Sequence, residues 1–152
     1  MINKDEKPAQ DFNRFVDAQN PVYDEVIEEL RSGNKKSHWM WFVFPQIKGL
    51  GNSRMARNFA IESVAEARAY LEHPVLGSRL IECASLVLAI KGSTAKEIFG
   101  SPDYLKLHSS MTLFSIASKS IASIESLVFK NVLDNFFSGQ EDQLTLDIIR
   151  NA

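Results

Sequence analysis

Apolar residues recur along most of this chain at helical spacing. After Pro21, the residues Val22, Val26, Ile27 and Leu30 share one helix side, and Gly33 stops the run. Asn20 and Pro21 read as an N-cap and a first-turn proline. Ser63 and Glu66 have capping-box spacing ahead of "AEARAYLEH". Pro74 opens "PVLGSRLIECASLVLAIK", which Gly92 ends, and Ser93 or Thr94 starts "AKEIFG", closed by Gly100. Ser101, Pro102 and Asp103 supply a hydroxyl cap, a proline set for the first turn and an acid at the positive helix end. Ser123 begins "IESLVFKNVLDNFFSG", stopped at Gly139, and a last helix covers roughly Glu141 to Arg150.

Period-two alternation and hairpin turns are largely missing. The pattern therefore predicts an all-α protein, a compact multihelical single domain of about eight helices. Three stretches carry no charge: Ser37 to Ile47, Cys83 to Ile90 and Leu107 to Ser118. A surface helix keeps charge on one face, so these stretches are expected at the centre of the core.

The first of them, "SHWMWFVFPQIKGLGNSR", holds both tryptophans of the chain. As a strand, Trp39, Trp41 and Val43 share a face. As a helix, Trp39, Phe42 and Val43 share a side and Trp41 points nearly opposite. A run this short does not decide between them by period alone. Ser37 as a cap and the helical surroundings favour a helix, and Pro45 ends it at Phe44. Both faces are apolar, so burial is expected; the alternative is that Trp39 or Trp41 lines a pocket and stacks on a flat ligand, beside His38 and Gln46.

The glycines that follow, Gly49 and Gly51, permit positive φ and close backbone approach. Ser53 is placed to cap a helix from Arg54, where free amides favour an anion, and Lys48, Arg54 and Arg57 add positive charge. The competing reading is a plain turn with an N-cap. No strand precedes it to make a dinucleotide fold, and it lacks the Gly-Lys-Ser/Thr ending of a P-loop.

On the helix after Ser101, Asp103, Lys106 and Ser110 form one polar stripe, and His108, Thr112 and Ser115 another. Buried hydroxyls on a helix are satisfied by carbonyls one turn back. A stripe facing a cavity would instead orient a ligand or move a proton, as in a serine with an amine base. His38, His73 and His108 show no metal-binding spacing with acids or cysteines, so no metal and no cofactor is expected. Paired acids such as Glu62 and Glu66 read as solvated faces.

Composition narrows the classes further. A net charge of −2 gives no case for nonspecific nucleic-acid binding. With a single cysteine, Cys83, no internal disulfide forms, and the thiol reads as packing. The polar start "MINKDEKPAQ" has no apolar leader core, and no apolar run reaches the ~20 residues of a membrane span. A cytoplasmic protein with no membrane association is expected, with residues 1–10 a polar arm and 11–152 the helical domain.

The blocks "SHWMWFVFPQIKGLGNS", "HPVLGSRLIEC" and "IFGSPDYLKLHSSMTLF" resemble the signature segments of the domain-of-unknown-function family numbered 1810, small proteins of bacteria and fungi. The resemblance runs from about Asp11 to the C-terminal helices. It implies a compact multihelical domain and brings no established substrate or catalytic residue. Two functional readings follow. In the first, His38, Trp39, Trp41, Gln46, Lys48, Ser53, Arg54, Asp103, Lys106 and Ser110 converge on a site for a small anionic, phosphate-bearing or nucleotide-like ligand. In the second, these blocks are core, and the protein is a non-enzymatic interaction module whose partner meets an apolar patch such as "FKNVLDNFFSG".

Overall fold

The structure, a computed structural model, describes residues 11–121 and 123–152. The expected N-terminal arm, residues 1–10, lies outside the described residues. Among the described residues ten α-helices follow one another, where the pattern predicts about eight: α1 (Asn13–Gln19), α2 (Tyr23–Arg31), α3 (Met40–Val43), α4 (Arg54–Asn58), α5 (Val64–Glu72), α6 (Leu76–Ala89), α7 (Ala95–Phe99), α8 (Asp103–Ala117), α9 (Val128–Phe136) and α10 (Gln143–Arg150). Two 3₁₀ turns, Ser118–Ser120 and Ile124–Leu127, link α8 to α9, so the helix expected from Ser123 starts as a 3₁₀ turn. Among the described residues no strand forms; a single parallel bridge pairs Ile47 with Ile61.

Helix α8 is the axis of the molecule, packed against α5, α7, α9 and α10. Leu107, Met111, Leu113, Phe114 and Ala117 are all buried, as an uncharged helix apolar on several sides requires. Helix α6 packs on α2, α5 and α9 from the other side and buries Leu80, Cys83, Ala84 and Val87. Close packing fixes one of its residues: a Cβ on Gly77 would stand 2.0 Å from the carbonyl oxygen of Leu71.

Several helix starts follow from their local caps. Ser63 accepts from the amide of Glu66, Thr94 and Glu97 complete a capping box, and Ser53 accepts from the amide of Ala56. Others differ from expectation. Asn20 and Pro21 lie in the turn after α1, and α2 begins at Tyr23. Ser101 caps nothing by its side chain; Pro102 occupies the cap position and Asp103 opens α8. Ser37 does not cap α3, whose cap position is Trp39, because its hydroxyl donates to Glu25 and Glu29 instead.

The described residues contain no helix long and apolar enough to cross a membrane. Phe136 and Phe137 of the C-terminal segment pack against the core, and His108 stacks on Phe137 with ring centroids 4.2 Å apart. Both phenylalanine rings are half-buried.

Candidate functional site

The residues expected to converge fall into two groups. One surrounds a cavity of about 250 Å³ beside the glycine turn. The other is a charged cluster at the N-terminal end of α8. Neither Trp39, Trp41, Asp103, Lys106 nor Ser110 lines the cavity.

The cavity lies between two chain segments, 46–51 and 56–62. Their packing begins in the core, where Ile47 and Ile61 are both buried. Above them the bridge forms: the Lys48 amide donates to the Ile61 carbonyl at 2.8 Å and the Ile61 amide to the Gln46 carbonyl at 2.9 Å. The second wall is held from behind by Arg14 of α1. Its guanidinium lies over the Phe15 ring and donates to the carbonyls of Asn58, at 2.8 Å, and Ala60, at 3.2 Å. An arginine fixed by two carbonyls and an aromatic face is a rigid brace.

Both glycines of the turn are required by geometry. Gly49 sits at φ +106°, in the region that penalises a side chain, and a Cβ on Gly51 would come within 2.7 Å of the Ala56 Cβ. The main chain at Gly49 and Gly51 lines the cavity, and among the described residues their amides donate to no acceptor. Free amides in a turn favour an anion that reaches them.

Three charged side chains line the same space: Lys48, Arg57 and Glu62. Lys48 pairs with Glu62 at 3.5 Å, and Arg57 has no ionic partner among the described residues. The lining therefore carries two cations against one carboxylate. Gln46 adds an amide. Ser53 contributes nothing, since its hydroxyl caps α4, and Arg54 stays exposed outside the lining.

The second group is a joint between the loop after α2 and helix α8. Asp103 accepts from Lys35 at 2.8 Å and pairs with Lys106 at 3.4 Å. Lys35 also donates to the Ser37 carbonyl and lies over the Trp39 ring at 4.9 Å. Lys106 lies over the half-buried Trp41 ring at 4.7 Å. Each lysine thus has a carboxylate and an aromatic face. Trp39 itself is core, 1% exposed, and its indole donates to Glu29 at 3.0 Å. His38 is exposed beside it and makes no contact with the cavity.

Glu29 organises that loop. Its carboxylate accepts from the amides of Lys36 and Ser37, the Ser37 hydroxyl and the Trp39 indole. Burial alone would raise its pKa, but these donors, the Ser37 hydroxyl foremost, together hold it at about 2. Ser110, on the Asp103–Lys106 stripe, is fully buried with no hydrogen-bond partner. Its neighbours behave differently: Ser109 donates to the Leu105 carbonyl and Thr112 to that of His108. Cys83 is closed to chemistry, its thiol pushed up to about 12 by burial.

Arg14 and Glu62 escape a reading of the sequence. Arg14 lies on another helix, and nothing local marks its reach to residues 58 and 60. Glu62 looks like a solvated acid until the Ile47–Ile61 bridge brings it to Lys48.

The chain matches, over residues 9–149, the family described as protein of unknown function (DUF1810). Among solved structures it is similar to the conserved hypothetical protein Rv1873 from Mycobacterium tuberculosis. Identity is 49%, the match covers 92% of this chain and 96% of that one, and the TM-score is 0.87. None of the curated proteins matches it.

Proposed function

This chain belongs to the DUF1810 family, whose fold carries no assigned activity, and we propose that it is a binding protein for a small anion held in the glycine-turn cavity. One observation carries the reading. Gly49 and Gly51, whose amides donate to no acceptor among the described residues, and Arg57, which has no ionic partner among them, line one cavity from two segments. A free amide and an unpaired arginine both gain from an anion. The bridge and the Arg14 brace fix the two walls before any ligand arrives, which lowers the ordering cost of binding.

About 250 Å³ admits a phosphate or a small metabolite bearing one, and falls just below the usual range for drug-sized ligands. Lys48 and Arg57 are both exposed, which makes the affinity salt-sensitive.

Calorimetric titration with inorganic phosphate at low ionic strength tests the reading. Saturable binding is expected, weakened about tenfold or more in Arg57→Ala, the loss of one charge-assisted contact. A wild-type titration with no heat and no change in melting temperature overturns it.

A further inference from the structure

Resting on that reading, we infer that the anion site is coupled to helix α10 through Ile148: the docked helix holds the glycine turn in its binding form, and a bound anion in turn holds the helix. From Gly49 to Asn52, no backbone amide or carbonyl takes part in a hydrogen bond among the described residues. The bonds stop at the Lys48 amide and resume at Ser53, the cap of α4. Such a stretch keeps its shape by packing. Leu50 packs against the core, Gly51 lies against the Ala56 Cβ, and the terminal methyl of Ile148 stands 3.4 Å from where a Cβ on Gly49 would be. Gly49 has most need of that contact. It sits at φ +106°, and a glycine with no hydrogen bond has more conformations to leave for than any other residue.

Helix α10 is anchored at its other end. The Asp142 amide donates to the Thr112 hydroxyl of α8 at 2.8 Å, and the Asp142 carboxylate accepts from Ser109 of α8 at 3.1 Å. The helix thus spans from α8 to the glycine turn. A helix this short is marginal by itself, so it keeps its shape through docking. Ile148 does not line the cavity, so it is a positioning residue for the turn. Linkage makes the effect reciprocal: the factor by which docking of α10 raises affinity for the anion is the factor by which the anion favours docking.

Hydrogen exchange on the full chain, with calorimetric titration of inorganic phosphate, tests the coupling. The Lys48 and Ile61 amides close the bridge beside the turn. In Ile148→Ala both should exchange about fivefold faster or more, and phosphate should bind weaker by a like factor. The α8 amides from Leu107 to Ala117 should keep their rates. Asp142→Ala, which loosens α10 from the α8 end without touching the turn, should act in the same direction. In the wild type, phosphate should slow exchange over residues 143–150. Unchanged bridge amides in Ile148→Ala overturn the coupling, and so does an acceleration that α8 shares equally, the mark of a merely structural role. If the wild type still binds phosphate, either result leaves the anion site standing. A wild type that binds no phosphate removes the site and the coupling together.

Discussion

Four donors converge on Glu29, a residue whose neighbours in sequence, Glu25 and Glu28, are exposed. A helix pattern alone does not separate these three acids. The separation comes from the loop 34–39, which folds back over α2 and brings its amides and the Trp39 indole to one carboxylate. The pH consequence has a definite sign. Glu29 is held at about 2 in the fold, below its ordinary value of 4.5. Its contribution is therefore complete above about pH 4.5 and is lost as pH falls toward 2. Glu29→Gln should lower stability at neutral pH by about 1–3 kcal/mol and flatten the acid-side loss between pH 4.5 and 2. Urea unfolding followed by tryptophan fluorescence across that range measures both. Ser110 gives the opposite sign. A buried hydroxyl without a partner gains nothing from being polar, so Ser110→Ala should leave stability unchanged or raise it by up to about 1 kcal/mol. Thr112→Ala should instead cost about 1–2 kcal/mol, because Thr112 accepts from the Asp142 amide at the start of α10. The stripe of Asp103, Lys106 and Ser110 was legible from spacing; which of its members has a partner was not, since spacing carries no information about the facing element.

At the scale of elements, legibility follows the range of the interaction that sets each boundary. Ser63, Thr94 and Ser53 bond to amides three residues on, and the sequence names them. Asn20 with Pro21 makes an equally good local signal, but α1 runs to Gln19 and consumes the turn, so α2 starts later. Gln19 then reaches Phe42 and Tyr70, a contact no local rule supplies. The glycine turn combines both cases. Its glycines are visible in sequence, while the reason for Gly51 is the Cβ of Ala56 across the turn. Gly51→Ala must push α4 away and should cost about 1–3 kcal/mol, with phosphate binding lost in the same variant. Helix α10 depends on its cap: Asp142 accepts from the Thr145 amide and hydroxyl and from Ser109 of α8. Asp142→Ala should cost about 1–2 kcal/mol and drop amide-exchange protection over residues 143–150 ahead of the rest of the chain.

Across the whole molecule, the helical class, the central place of α8 and the core role of Trp39 follow from charge-free stretches, because burial excludes charge wherever the chain runs. The partition of the polar candidates does not follow, because it depends on which segments cross. The glycine turn meets the segment before α5, while the α8 stripe meets the loop after α2. This partition makes a prediction about the tryptophans. Trp41 and Trp39 belong to the second group, so a ligand in the cavity is expected to change stability more than fluorescence. A ligand at one hundred times its Kd adds about 2.7 kcal/mol to the folded state. In a domain of this size, that raises the melting temperature by roughly 5–10 °C. Thermal unfolding with saturating inorganic phosphate should show the shift in the wild type and lose most of it in Arg57→Ala. Lys106→Ala, which removes a lysine from the α8 joint, should melt lower without ligand yet keep the full ligand-induced rise. Equal loss of that rise in both variants would mean that the two groups act as one site.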